Sequence, residues 1–465
     1  MSKNREGTPE VAQSGRMRWM RGVLAALLAL ALFALPACDL MPTSEATSQG
    51  AEQTLSAEQT PLGADAIHQP DTLEFISMLD ENPDLKALFE KAIAKGVEIN
   101  PDRVTNPAQN LEEYYSFLDW STLCMPWNIM YNKEHPTLMD SIDQSLNYFY
   151  FILDIPLEEL EGQGLYYNSL EYEPRVSAWM NEYTENWGNY LSTKESWNDQ
   201  YYWRAYADAE YGLQKGWYEP KENWHSFNDF FARHLIDPSA RPIAAPDDDS
   251  VVASPADSVT QGVWQVDENS NILNADRQQD GPDSEVVIKS KGFNSVPQLL
   301  MGSKYAEDFA NGTLTHTFLN VQDYHRYHFP VSGEVVEMGH IPAAVNIGGL
   351  TAWDPAAQKY QLYSEQPTWE SIETRAYVIV KTEQYGLVAC MPVGMSQVSS
   401  VNFTEGLEVG DTVKKGDELG YFLFGGSDFV LIFQKDVQFD LTVPQDEGGY
   451  VHVLMGEEYG RLSVR

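Results

Sequence analysis

Cysteine is nearly missing from this chain: there are three in 465 residues, Cys38, Cys124 and Cys390. No Cys-x-x-Cys pair exists, so a zinc framework and a disulfide-stapled scaffold are both excluded. Cys124 and Cys390 could form one bridge in an oxidising compartment, and two buried free thiols satisfy the sequence equally well. Basic residues are scarce, with 30 Lys and Arg against 69 Asp and Glu and a formal charge of −39. Such an acidic chain is repelled by phosphates, which argues against nucleic acid as a partner and against electrostatic docking on anionic lipid. No motif for a nucleotide or for PLP is present. Long apolar runs are also lacking. The one that exists, Val23–Leu35, is shorter than the roughly 20 residues a membrane-spanning helix needs.

That single run is informative through its flanks. Arg16, Arg18 and Arg21 precede it and Leu35-Pro36-Ala37-Cys38 follows, giving the basic, apolar and small-residue zones of a secretory signal. The ending resembles a bacterial lipobox, which implies that Cys38 is lipidated and becomes the mature N-terminus; the alternative is an uncleaved anchor. Either way the expectation is a protein tethered to a membrane of the bacterial envelope on the exported side. Asp39 resembles an inner-membrane retention signal. Five basic and two acidic residues precede Cys38, so losing residues 1–37 takes the charge to −42. A covalent anchor would supply the membrane contact that this charge opposes.

Residues 38–70 are rich in Ser, Thr, Ala, Glu and Gln and read as a flexible tether. Residues 71–225 read as a helical domain. Leu85, Leu88, Phe89, Ala92 and Ile93 share one face after Pro83 and before Gly96. Asn110 with Glu113 signals a helix start, and Pro136–Leu153 reads as a buried, aromatic-rich helix. Trp179, Trp187, Trp197, Trp203, Trp217 and Trp224 are expected mainly in the core. The pattern changes in residues 226–465, where short β-branched runs separated by turn residues predict many strands. They are Ser250–Ala253, Val286–Ser290, Thr313–Val321, Gly333–Glu337, Tyr377–Lys381, Leu387–Met391 and Phe429–Phe433. The expected class is α+β, helices first and a β-rich domain second. Val331–Val335 and Gly406–Leu419 resemble the halves of a biotinyl/lipoyl-type flattened barrel, without the lysine tip of a carrier domain.

Three places carry chemistry. Gly425-Gly426-Ser427 offers a hydroxyl beside a peptide carbonyl that no Cβ shields. His325 and His328 stand in Asp323-Tyr324-His325-Arg326-Tyr327-His328-Phe329-Pro330, and both can serve one site only at a turn or irregular strand end. Asp257 follows Ser254-Pro255-Ala256. The order of these segments resembles the phosphatidylserine decarboxylase family, over roughly residues 226–440. Phe227–Arg233 with Ala240–Ile243, Lys291-Gly292, Leu299-Leu300, Phe309–Gly312, Glu373–Arg375 and Val393-Gly394 fall in the family's sequence. The N-terminal half is similar to the extension on a subgroup that includes decarboxylases of aromatic amino acids such as tryptophan.

The resemblance implies an enzyme that makes its own cofactor. Asp257, His328 and Ser427 would form a triad in which His328 deprotonates Ser427, the chain breaks between Gly426 and Ser427, and a pyruvoyl group remains at 427. That group supplies the electron sink for loss of CO2. His325, at the ordinary histidine pKa, would return a proton to the product carbon. Fragments 38–426 and 427–465 would stay associated, and no metal is implied. The substrate would be an amino-phospholipid such as phosphatidylserine, or alternatively a free L-amino acid; a third alternative is a non-catalytic envelope binding lipoprotein. The sequence departs from the family at Gly425, Ser258 and Asp428. The last is expected to oppose alkoxide formation at Ser427 unless a donor or metal neutralises it, because its charge adjoins that hydroxyl along the chain.

Overall fold

The structure, a computed structural model, describes residues 68–465 apart from 124–137, 166, 274–286, 289–290, 293–294, 344–347, 364–372, 396–399 and 425. Residues 1–37, Cys38, nearly all of the tether and Cys124 lie outside the described residues. Cys390 is a free thiol in the core, its pKa pushed up by burial.

The N-terminal half is helical. α1 (Pro70–Glu81) and α2 (Pro83–Ile99) each open on a proline, which fits the first turn because its missing N–H has no partner there anyway. α3 (Leu111–Ser121) starts as read: the Asn110 side chain accepts the Glu113 N–H at 2.9 Å. The Glu113 carboxylate reaches back to the Gln109 N–H rather than to Asn110, so the cap is shifted by one residue. α4 (Leu138–Phe151), α5 (Pro174–Leu191) and α6 (Asp199–Ala207) follow. Aromatic rings fill the space between them: Phe75 meets Phe89 edge-on and Phe149 stacks on Tyr183. Trp179, Trp187 and Trp224 are buried in this core, whereas Trp203 is 56% exposed.

The C-terminal half is built on one eight-stranded antiparallel sheet. Its strands are β1 (Ser258–Gln265), β2 (Thr313–Leu319), β3 (Gly333–Ile341), β4 (Thr374–Lys381), β5 (Leu387–Met395), β6 (Thr412–Val413), β7 (Gly426–Phe433) and β8 (His452–Val453). They lie in the order β6-β3-β4-β5-β7-β2-β1-β8. The sheet is open at β6 and β8 and does not close, so the flattened barrel is not seen as a closed body. The two segments that suggested it do pair: Thr412 lies opposite Glu334 and Val413 opposite Gly333 in the sheet.

The faces of the large sheet carry different cores, because alternate strand residues point to opposite sides. Val430 and Ile432 belong to a cluster with Trp264, Leu314, Ile379 and Met391. Phe429, Leu431 and Phe433 belong to a cluster that continues without a break into the helical half. Hydrogen bonds tie the halves further: Tyr172 with Gly349, Gln144 with Tyr360, and the Thr351 N–H with Asp154. Among the described residues no helix is long and apolar enough to cross a membrane.

Candidate active site

Ser427 sits at the start of β7, a strand flanked on both sides. Gly426 pairs with Met395, and Ser427 lies between Gly394 of β5 and Leu319 of β2. Its hydroxyl is fully buried and has no hydrogen-bond partner among the described residues. A buried hydroxyl left unpaired costs roughly 1–3 kcal/mol; Thr72, Tyr114 and Thr260 among the described residues share that state, and what sets Ser427 apart is the glycine that precedes it. Here the oxygen is bound to no competing group and adjoins a glycine carbonyl.

Asp428 corrects the sequence reading. As the next residue on the strand it points to the opposite face from Ser427, among the residues packed with Trp264. There its Oδ1 meets His316 Nε2 of β2 at 2.5 Å. Burial raises its pKa, opposed by the His316 ring. The carboxylate is thus screened from the hydroxyl by the backbone and balanced by an imidazole or a proton. Sequence adjacency overstated its influence because it ignored the pleat.

The histidines lie on the irregular strand end that their spacing required, Arg326–His328 being only three residues long. The His328 ring is almost fully used: Nδ1–H donates to the Gly416 carbonyl at 2.8 Å, and Nε2 lies 3.2 Å from the Tyr324 hydroxyl. A carbonyl can only accept, so the proton is on Nδ1 and Nε2 carries the lone pair. Burial lowers its pKa, against the pull of the Gly416 carbonyl, Glu418 and Asp257. This is a neutral ring presenting a base at Nε2.

His325 is buried and stacked on Phe231 with ring centres 3.7 Å apart; its Nδ1–H donates to the Asp323 carbonyl at 2.9 Å. Burial, then the Arg233 guanidinium, hold its pKa well below the usual range. The ordinary titration expected from sequence is therefore replaced by a neutral ring. To donate a proton from Nε2 it must first take one up.

Asp257 is at the mouth of β1, and the His328 N–H bonds to the Pro255 carbonyl two residues before it, so its charge is felt at His328. Its carboxylate, however, is engaged elsewhere. Arg241 grips it with two bonds of 3.0 and 2.6 Å, and the Met455 N–H adds a third at 2.7 Å. No hydrogen bond joins Asp257, His328 and Ser427 to one another. The fold ties the Asp257 and His328 segments through the Pro255 carbonyl, and Ser427 is bonded to neither.

Sequence reasoning missed several groups at the site. Arg241 stood in the Ala240-Arg241-Pro242 block and could have been paired with Asp257 as a fully buried cation needing an anion. It is stacked on Trp217, 4.1 Å from the ring centre. His452 Nε2 meets Asp323 Oδ1 at 2.8 Å; no spacing pattern signals a pair 129 residues apart. Asn228 Oδ1 accepts the Phe424 N–H at 3.0 Å, just ahead of the Gly-Gly-Ser run. Close by, a cavity of about 410 Å³ opens between α5 and the sheet, lined by Thr184, Glu185, Asn189, Thr374 and Leu423 among others.

Comparisons with known proteins bear on this arrangement. The model of the phosphatidylserine decarboxylase family matches residues 227–461, half of the chain. This chain belongs to that family. Over 226 residues it is 35% identical to phosphatidylserine decarboxylase proenzyme 2 of Oryza sativa subsp. japonica, covering 48% of this chain and 31% of the rice protein. It thus spans about a third of that relative's length. It is 28% identical over 317 residues to the phosphatidylserine decarboxylase proenzyme of Fusobacterium nucleatum, covering 66% of this chain and 94% of that one. Decarboxylase iboD of Amanita muscaria is 27% identical over 316 residues, covering 62% and 85%.

Proposed function

We propose that this protein is a proenzyme that cuts itself between Gly426 and Ser427 and then, as a carboxy-lyase, converts phosphatidylserine to phosphatidylethanolamine with release of CO2. The observation that carries the reading is the buried, unpartnered Ser427 hydroxyl beside the Gly426 carbonyl, in a chain of this family. The names of the rice and Fusobacterium relatives support the substrate and the proenzyme state.

In the cut, Ser427 Oγ forms a bond to the Gly426 carbonyl carbon, and the bond from that carbon to Ser427 N breaks. The hydroxyl proton passes through a base to the released nitrogen. His328 suits the base, with its Nε2 lone pair and a Tyr324 hydroxyl that must swing aside to free it. A base then takes the Ser427 Cα proton, whose electron pair forms a Cα–Cβ double bond as the Cβ–Oγ bond opens, and this frees a chain ending in the Gly426 carboxylate. Water replaces the nitrogen at 427 with oxygen and ammonia departs. Ser427 fits the precursor role because its oxygen is unpaired and Gly394, opposite it, has no side chain. The pyruvoyl group so formed supplies an electron sink for decarboxylation.

The surrounding residues then hold and move protons. His325, neutral and fixed by the Asp323 carbonyl and the Phe231 face, is the proposed group that takes up a proton and returns it to the product carbon. Asp257 and Arg241 hold the Pro255 loop against the His328 backbone. Residues 427–465 supply β7, between β5 and β2, and Glu458–Val464, between Val251–Ala253 and Val437–Leu441, which supports continued association of the fragments. The Cys38 lipidation site and the exported, membrane-anchored location belong to the same proposal, since a tether would keep an acidic enzyme at its lipid substrate.

The test is a denaturing gel followed by an assay. A light fragment, Ser427 to Arg465, is expected in the wild type and not in Ser427→Ala, with CO2 released from carboxyl-labelled phosphatidylserine. Release from labelled tryptophan but not from the lipid would move the substrate to free amino acids. A full-length band alone would leave only a binding protein.

A further inference from the structure

Asn228 is 3% exposed and uses both ends of its amide across the two halves of the molecule. Its Nδ2 donates to the Gly188 carbonyl at 3.2 Å and to Ser192 Oγ at 2.9 Å, at the C-terminal end of α5. Its Oδ1 accepts the Phe424 N–H at 3.0 Å. The short helix that carries it, Phe227–Phe231, is fixed by a reciprocal cap between Ser226 and Asp229 and by a bond from the Phe227 N–H to Ser196 Oγ. Phe227 and Phe231 each pack edge-on against the Phe424 ring, at 5.0 and 5.3 Å. Phe231 also stacks on His325.

Phe424 is thus held by backbone and ring alike, and Ser427 is held by its neighbours in the sheet. Gly426 is itself paired with Met395 in the sheet, so only Gly425 lies between the Phe424 anchor and the strand. A Gly-Gly pair restricts its own backbone less than any other dipeptide. The direction of the Gly426 carbonyl relative to Ser427 Oγ is therefore set by the strand on one side and by the Phe424 anchor on the other. Attack on a carbonyl is steeply sensitive to that direction, and a displacement of about 1 Å can cost on the order of 100-fold in rate.

We propose that Asn228 is a positioning residue for self-cleavage, through which α5 of the N-terminal half aligns the scissile segment for attack by Ser427. The inference rests on the reading that Ser427 cuts its own chain, and it makes the helical half a working part of maturation. Asn228 touches no reacting atom; it acts through the Phe424 amide.

The experiment follows scission of newly made full-length chain with time on denaturing gels. Asn228→Ala removes all three hydrogen bonds and is expected to lengthen the half-time on the order of 100-fold. Asn228→Asp keeps the acceptor for Phe424 and should be rescued part-way; Ser192→Ala, losing one anchor, should slow scission only a few-fold. Hydroxylamine, which cleaves backbone esters, should not speed the Asn228→Ala chain, because the ester has not formed. Melting of each variant in the Ser427→Ala background reports folding separately. A folded Asn228→Ala chain that cuts at the wild-type rate overturns the proposal. So does Asn228→Asp if it is as slow as Asn228→Ala while melting normally. A wild-type chain that never cuts overturns the underlying function instead, and this inference with it.

Discussion

The Arg241–Asp257 pair gives a prediction whose size follows from the structure. Both side chains are buried, at 1% and 4% exposure, and they meet through two hydrogen bonds. Arg241→Met in a Ser427→Ala background leaves the Asp257 charge in the interior with only the Met455 N–H to answer it. Breaking a buried pair by removing one partner costs about 3–5 kcal/mol. For a domain of this size that lowers the melting temperature by about 6–20 °C. Asp257→Asn alone should be similarly costly, because it strands the guanidinium. The double variant should recover part of the loss, since neither charge is left unpaired, though bonds from Arg241 to the Ala240 carbonyl and the Tyr218 hydroxyl are still missing. Thermal and denaturant unfolding of the four proteins complete the cycle. A single-variant cost below about 1 kcal/mol, or a double variant no better than the worse single, would refute the reasoning.

Asp428→Thr removes the carboxylate; because that group lies across the strand from Ser427, scission should change by less than about 3-fold, and a rise beyond 10-fold would show that it brakes the attack after all. His325 and His328 both have folded pKa values below the ordinary one of about 6.5, so the unfolded chain takes up protons that the folded chain refuses. Stability should therefore rise with pH up to about 6.5 and level off above it, each ring contributing at most about 1.4 kcal/mol per pH unit. In the Ser427→Ala background, the stability difference between the parent and His325→Gln should climb over that window; a flat or falling difference contradicts the burial account. After scission the light and heavy fragments should co-elute in native buffer and part only in denaturant, because β7 is hydrogen-bonded on both sides.

Local signals explain what could be read from sequence. Proline at helix starts, Asn110 as a cap and β-branched runs such as Phe429–Phe433 act over a few residues, and those elements formed close to where they were read. The helical half with its aromatic core and the β-rich second half were legible for the same reason. The segments of the site were legible as ordered motifs. Contacts set by tertiary packing were not. Arg241 with Asp257, His452 with Asp323 and Asn228 with Phe424 join residues whose separation no local rule encodes. Asp428 misled because neighbours in sequence face opposite sides of a strand, and only β7's pairing shows which side holds His316. His325 misled because its pKa is set by burial and by Arg233, neither visible in a motif.

Intact mass measurement of the denatured, mature protein tests the central claim most directly. The account predicts two chains, a heavy one ending at Gly426 and a light one spanning 427–465, the latter lighter than a serine-initiated fragment by one ammonia and reducible by borohydride. One uncut chain, or a light fragment that still begins with serine, would contradict it.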